Sequence, residues 1–268
     1  MAHILLPTDF SHTSLNAAMF AFDLFGVAGN RYTLLHTYLK PAFDNALLPR
    51  IGDGMEREAV NGLKRFERKC RQYAGKVYLA RVASQKQITD LLNDLDSHKG
   101  ADMIVMGTQG EGNYGLVGSN TTAVVLGANV PVITVPSQWT SLPISRIMLA
   151  HDGGRMDRTT LKPLIDLAKR TNAEVVLAHV RDNNVGFDKR SDRKQIAELF
   201  ADVPHSFVTV QGDEVMTTID GLARQGRIQL LAVIHRQKGF WEDLFHASKA
   251  KRMALHTTMP LLVLPERP

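Results

Sequence analysis

His3-Ile4-Leu5-Leu6-Pro7-Thr8-Asp9 is a short apolar run ending in a carboxylate, and it decides the fold because the chain uses it twice. Arg146-Ile147-Met148-Leu149-Ala150-His151-Asp152 has the same form 143 residues later. Leu34-Leu35-His36 and Leu177-Ala178-His179 keep that offset. Further along, Pro131-Val132-Ile133-Thr134-Val135-Pro136 matches Pro260-Leu261-Leu262-Val263-Leu264-Pro265 at an offset of 129. The second copy is therefore shorter by about 14 residues, lost between its second and third strands. There the first copy has the loop-like stretch Pro41 to Gly54, and deleting a surface loop is the least disruptive way to shorten a domain.

Outward from these runs, buried-strand and helix patterns alternate. In the first copy, strand-like runs lie near 3–7, 32–38, 76–82, 102–106 and 131–135, and helix-like stretches near 13–25, 55–74, 85–98 and 118–127. The second copy places strands near 145–150, 174–180, 206–211, 228–234 and 260–264, and helices near 157–170, 192–202, 213–225 and 247–256. The strand runs are continuously apolar, as expected when both faces of a sheet are covered. Ile88, Leu91, Leu92 and Leu95 recur at helical spacing. Ser11 or Thr13 is placed to cap the first helix. Strand–helix alternation implies parallel strands joined by right-handed crossovers. The expectation is an α/β protein of two tandem doubly wound domains, each with a five-stranded parallel sheet, over 1–138 and 144–268, with a linker at Ser137 to Pro143.

Composition agrees. Of 268 residues, 44% are hydrophobic and 22% charged, which excludes disordered and fibrous classes. Each half is long enough to bury a core without disulfides or metal. Net charge is +5; up to residue 140 there are 13 Lys and Arg against 12 Asp and Glu, and beyond it 19 against 15. Neither imbalance makes a nucleic-acid patch the expectation. One cysteine, Cys70, excludes an intramolecular disulfide framework and a cysteine-cluster metal site. The apolar start is too short for a signal-peptide core. The longest apolar stretch, Thr122 to Pro136, is interrupted by Gly127, Asn129 and Pro131 and falls short of the ~20 residues of a membrane helix. A soluble cytoplasmic protein is expected.

Ligands of open α/β sheets bind beyond the carboxyl ends of the strands, at the switch point. That edge carries Thr8-Asp9-Phe10-Ser11 after the first strand, His36-Thr37-Tyr38 after the second, and a glycine-rich segment from Gly107 to Thr121 after the fourth. Glycine lets the backbone approach a ligand closely, and amides at a helix N-terminus attract phosphate. Phosphate binding and a flexible strand–helix loop both account for this segment. It is neither a Walker loop nor a dinucleotide fingerprint after the first strand. Asp9 likewise has two readings, a helix cap or a hydrogen-bond acceptor for a ribose or base. No nucleophile elbow or zincin motif is present, and no general base stands beside a nucleophile. The ten histidines lack the spacing of a zinc motif. The charged helix carrying Glu56, Glu58, Arg65, Glu67, Arg68, Lys69 and Arg71 reads as exposed surface.

Taken in order, these residues resemble the universal stress protein family over almost the whole chain, as two tandem copies. The resemblance is carried by Leu6-Pro7-Thr8-Asp9-Phe10-Ser11, Leu34-Leu35-His36, Met106-Gly107-Thr108-Gln109-Gly110, Gly118-Ser119-Asn120-Thr121 and Val130 to Pro136. It implies a Rossmann-like fold with strand order 3-2-1-4-5. In its nucleotide-binding members it implies ATP held by a Gly-x2-Gly-x9-Gly-Ser/Thr motif. Here Gly107 and Gly110 are followed by Gly118-Ser119 after a spacer of seven residues rather than nine. Carried over by position, Asp9 would contact the ribose or adenine end, and Thr37 would offer backbone groups to adenine. Gly107 and Gly110 would make room beside the ribose and phosphates, while Gly118, Ser119 and Asn120 would bind phosphate. Pro7, Thr8, Met106 and Gln109 join the same site.

The second half keeps Asp152 but has His235 and Lys238 where the leading glycines belong, and Ala247 before Ser248. It is not expected to bind ATP in the family manner. Phe240, Trp241, Leu244 and Phe245 read as an apolar cap or interface, and Lys249, Lys251 and Arg252 as a solvated helix face. The resemblance thus implies an ATP-binding stress-response sensor or regulatory protein, with Mg²⁺ accompanying the nucleotide, rather than a fast enzyme. An interaction scaffold and a slow ATPase are the alternatives. Expected partners are an adenine nucleotide and an unidentified protein, without nucleic acid or membrane. Family dimers pair through the last strand, which a tandem chain can do internally between the strands near 131–135 and 260–264; a homodimer of chains remains open.

Overall fold

A computed structural model describes residues 1–38, 50–88, 90–91, 100–108, 119–140, 142–151, 156–181, 190–211, 221–222, 224–225, 227–236 and 259–266. They form two units, Met1–Gln138 and Trp139–Pro268. The first contains β1 (His3–Pro7), α1 (His12–Phe25), β2 (Arg31–Thr37), α2 (Arg50–Ala74), β3 (Tyr78–Ser84), β4 (Met103–Gly107), α3 (Ser119–Gly127) and β5 (Val132–Val135). Its strands lie in the order β3-β2-β1-β4-β5. β1 pairs in parallel with β2, from His3 opposite Arg31 to Pro7 opposite Leu35, and on its other side with β4. The fold is therefore a doubly wound α/β fold whose switch point lies between β1 and β4.

The core explains the continuous apolar runs. Ile4, Leu5, Leu6, Leu34, Ile104 and Ile133 are all at most 2% exposed, because covered sheet faces leave no outward side. α1 packs against β1, β4 and β5, and α2 against β2 and β3. The inner face of α2 is Ala59, Leu63, Phe66 and Cys70, all buried, at the i, i+4, i+7, i+11 spacing of one helical stripe. Arg65, Arg68, Lys69 and Arg71 lie on its exposed side, as expected, whereas Glu67 is half-buried between Arg71 and Arg81, at 2.8 and 3.3 Å. β3 lies two residues later than the periodicity suggests, because Gly75, at φ +69°, ends α2 and Val77 is used in the turn, its amide donating to the Gly75 carbonyl.

The second unit contains β6 (Arg146–His151), α4 (Arg158–Thr171), β7 (Glu174–Arg181), α5 (Arg190–Leu199), β8 (His205–Gln211), β9 (Leu230–His235) and β10 (Leu261–Pro265), with strand order β10-β9-β6-β7-β8. Asp157 caps α4, accepting from the Thr160 amide at 2.9 Å. The difference in length between the halves is not chiefly a lost loop. α2 has 25 residues and α5 has 10, and residues 50–54 of the loop-like stretch belong to α2. Glycines at 52 and 54 lower helix propensity by roughly 1 kcal/mol each, which the packed inner stripe of α2 offsets. The expected helix at 247–256, most of those at 85–98 and 213–225, and Phe240 to Phe245 and Lys249 to Arg252 lie outside the described residues, while 221–222 and 224–225 are helical as expected. No described helix is long and apolar enough to cross a membrane.

Candidate functional site

The carboxyl edge of the first sheet is built around the turn from β1 into α1. Thr8 is buried, its amide bonded to the Leu35 carbonyl at 2.8 Å and its hydroxyl in contact with that of Ser14 at 2.9 Å. The Phe10 amide donates to the Thr8 hydroxyl oxygen at 2.9 Å. Ser11 is the N-cap of α1, its hydroxyl oxygen accepting from the Ser14 amide at 3.2 Å. Asp9 is thus not the cap itself. Its Oδ1 accepts from the Ser11 amide at 3.1 Å and the Ser11 hydroxyl at 2.5 Å, so it orients the cap while remaining solvent-exposed. Aspartate closes such turns readily because its short side chain reaches the amide two residues on.

Phe10 completes the turn in an unusual way. Its φ is +70°, a region that bulky side chains avoid. Its ring stacks on His36 at 4.2 Å between centroids, and His36 is itself fixed by an Nδ1–H bond to the Thr8 carbonyl at 2.7 Å. On the other side lies Gly62 of α2, where an added Cβ would come within 2.4 Å of the Phe10 ring.

Gly107 joins three elements. A Cβ there would meet Thr13 Cγ2 at 2.7 Å and the Thr13 backbone at 3.1–3.2 Å. The first turn of α1 therefore leaves no room for a side chain at residue 107. The Gly107 carbonyl accepts the Thr121 hydroxyl at 3.1 Å, which ties the beginning of α3 to the end of β4. Met106 is buried under this junction, and Pro7 is buried at the end of β1. Ser119 opens α3 and Asn120 is exposed. Thr37 is half-buried at the last β2–β3 register pair, opposite Ser84. Gln109, Gly110 and Gly118 lie outside the described residues. The structure therefore brings Thr8, Asp9, Met106 and Gly107 to one junction at the switch point.

Thr13 stands out in the sequence only as a cap candidate and Thr121 only as the end of the glycine-rich segment, and Phe10 gives no warning of its backbone. Gly62 was the legible clue, since a glycine inside a helical pattern usually has a packing reason.

The corresponding edge of the second unit is filled differently. His151, 5% exposed, ends β6 at the repeat position of Thr8, and its ring stacks on His179 at 5.1 Å with planes 14° apart. His235 ends β9 opposite Pro265, but the strand registers place Ile234 where the first unit has Gly107, so this imidazole stands at the repeat position of Thr108 and not, as the sequence suggests, of the leading glycine. Asp152, Lys238, Ala247 and Ser248 lie outside the described residues. Among the described residues, no group of three or more His, Cys, Asp or Glu side chains is arranged to hold a metal ion.

Solved structures share the architecture. A universal stress protein from Archaeoglobus fulgidus DSM 4304 aligns over 98% of this chain and 96% of its own, with TM-score 0.74 and 17% identity. A universal stress protein from Pseudomonas aeruginosa UCBPP-PA14 aligns over 99% and 93%, with TM-score 0.61 and 14% identity. One solved in complex with cAMP aligns over 50% of this chain and 96% of its own at 20% identity, with TM-score 0.39, a likeness too distant to place a ligand here. No curated protein matches the sequence. The universal stress protein family model matches residues 1–136. With half of its length matched and its first sheet ordered 3-2-1-4-5, the chain belongs to the universal stress protein family.

Proposed function

We propose that the first unit binds an adenine nucleotide, ATP, and that the chain is a cytoplasmic stress-response sensor or regulatory protein rather than a fast enzyme. What carries this reading is the junction at Gly107. It sets the exposed Asp9 carboxylate after β1 and the N-terminus of α3 after β4 on either side of the switch point. A carboxylate suits a ribose or base donor, and helix-terminal amides suit phosphate. Gln109, Gly110, Gly118, Ser119 and Asn120 would form the phosphate end, with Pro7, Thr8, Thr37 and Met106 around the nucleoside. With no described carboxylate or imidazole cluster to hold it, Mg²⁺ would come with the nucleotide, bound by phosphate oxygens and water.

The two units are read as tandem copies, 1–138 for the nucleotide and 144–268 as a degenerate copy. Imidazoles at 151 and 235 stand where the first unit has Thr8 and Thr108, and Ile234 stands where it has Gly107, which supports a second edge unsuited to the same ligand. Mass analysis of small molecules released from freshly purified, denatured protein tests the reading, with calorimetry on ATP for the wild type and Gly118→Val. Retained ATP and binding lost in Gly118→Val are expected. Retained ADP would point to slow hydrolysis. No retained nucleotide and no calorimetric binding would overturn the proposal in favour of an interaction scaffold.

A further inference from the structure

Phe10 pays a conformational cost that its neighbours enforce. A bulky aromatic residue at φ +70° is unfavourable, and such a conformation persists only where surrounding structure over-determines it. Here the surroundings are specific. The His36 ring stacks on one side at 4.2 Å, Phe66 of α2 is tilted against it at 6.3 Å, and Gly62 of α2 leaves space that a single methyl group would occupy. Glycine inside a 25-residue helix is itself unfavourable, so two local costs meet at one contact. Their shared product is the turn. With residue 10 left-handed, the Ser11 amide and hydroxyl both reach Asp9 Oδ1, and the Phe10 amide reaches the Thr8 hydroxyl.

We propose that Phe10 is a positioning residue, an aromatic wedge between β2 and α2 that holds the Asp9 carboxylate at the ligand crevice. The ligand in this statement rests on the nucleotide reading above, whereas the geometry does not. The wedge also couples α2 to the crevice, since the ring that sets residue 10 is seated on that helix. Asp9 sits in place because a ring one residue away is clamped from two elements distant in sequence.

Gly62→Ala is the test, read by NMR and by ATP calorimetry on the full chain. The methyl group displaces the ring, so the Phe10–His36 ring contact is lost and the Ser11 amide resonance, which reports its bond to Asp9, moves. ATP affinity falls by about tenfold or more, the scale of a disturbed hydrogen bond to a charged group. Adding Phe10→Gly removes the ring and accepts positive φ freely, so the double variant regains the Ser11 resonance and binds within about threefold of wild type. A merely structural wedge predicts the reverse, because deleting the ring opens a cavity. Should Gly62→Ala fail to fold, Phe10→Val, which resists positive φ, takes its place, with Phe10→Gly as its control. An unchanged Ser11 resonance despite a lost ring contact overturns the proposal, as does a glycine variant no better than its parent. Wild type that takes up no ATP overturns the nucleotide reading alone, since the Ser11 resonance still decides the positioning.

Discussion

Gly107→Ala separates two reasons for a glycine at the end of β4. Residue 107 does not have a positive φ, so its backbone accepts alanine. In open space the substitution would restrict the unfolded chain and stabilise the fold by about 0.4–1 kcal/mol. The space is not open. The new Cβ lies 2.7 Å from Thr13 Cγ2 and 3.1–3.2 Å from the Thr13 backbone carbon and oxygen. The methyl of Thr13 can be moved or removed, but its backbone belongs to the first turn of α1, anchored by the Ser11 cap. Relief therefore shifts a helix against a strand, and overpacking of this kind costs about 1–3 kcal/mol. The expected balance is a loss of about 1–2 kcal/mol. Both tryptophans, Trp139 and Trp241, belong to the second unit, so their fluorescence reports the wrong half. Hydrogen exchange of the α1 amides reports the right one. Those amides should exchange roughly 5–30 times faster, while the tryptophan transition in urea stays in place. Thr13→Ser removes the closest atom and should recover part of the loss, with a coupling of about 0.5–1 kcal/mol. A neutral or stabilising Gly107→Ala, or no coupling to Thr13, would refute the packing account and return Gly107 to the ligand alone.

Three further outcomes follow from single residues. Thr134 is fully buried in β5, and its hydroxyl has no hydrogen-bond partner among the described residues, so Thr134→Val should raise stability in urea by about 1 kcal/mol. Burial alone would raise the carboxyl of Asp157, but hydrogen bonds from the Thr160 and Thr159 amides and hydroxyls outweigh it and hold it below the usual range. A carboxyl depressed in the folded state contributes its stability above the unfolded value and loses it as pH falls through the folded one. The second unit, followed by tryptophan fluorescence, should therefore weaken with acid below the ordinary aspartate range, and less steeply in Asp157→Asn, which keeps a good cap. Burial, then the charge of Glu67, push the Cys70 thiol up to about 12 against the opposing Arg71. At pH 8 an aromatic disulfide reagent should modify it only at the rate at which the protein opens, and fast labelling of folded protein would contradict its burial.

The repeat, the strand–helix alternation and the apolar runs were all legible from residue order, because covered strands demand continuous apolar side chains and helices demand a stripe. β1, β2, β4 and β5 accordingly stand within about a residue of the periodicity, and β3 is displaced by two. The extension of α2 back to Arg50 was not legible, since Gly52 and Gly54 mark a turn locally and only packing of the later stripe overrides them. The candidate site divides the same way. Asp9 and the glycine-rich segment announce themselves by residue type and spacing, but the division of labour between Asp9 and Ser11 depends on which oxygen reaches which amide.

Sequence alone therefore determined the fold class, because it follows from hydrophobic period and chain order. Tertiary structure decided that Gly107 is pressed by Thr13, that Gly62 makes room for Phe10, and that Phe10 is held left-handed beneath His36. Each of these is a contact between residues tens of positions apart, set by how closely two elements approach, and no local pattern along the chain encodes that distance.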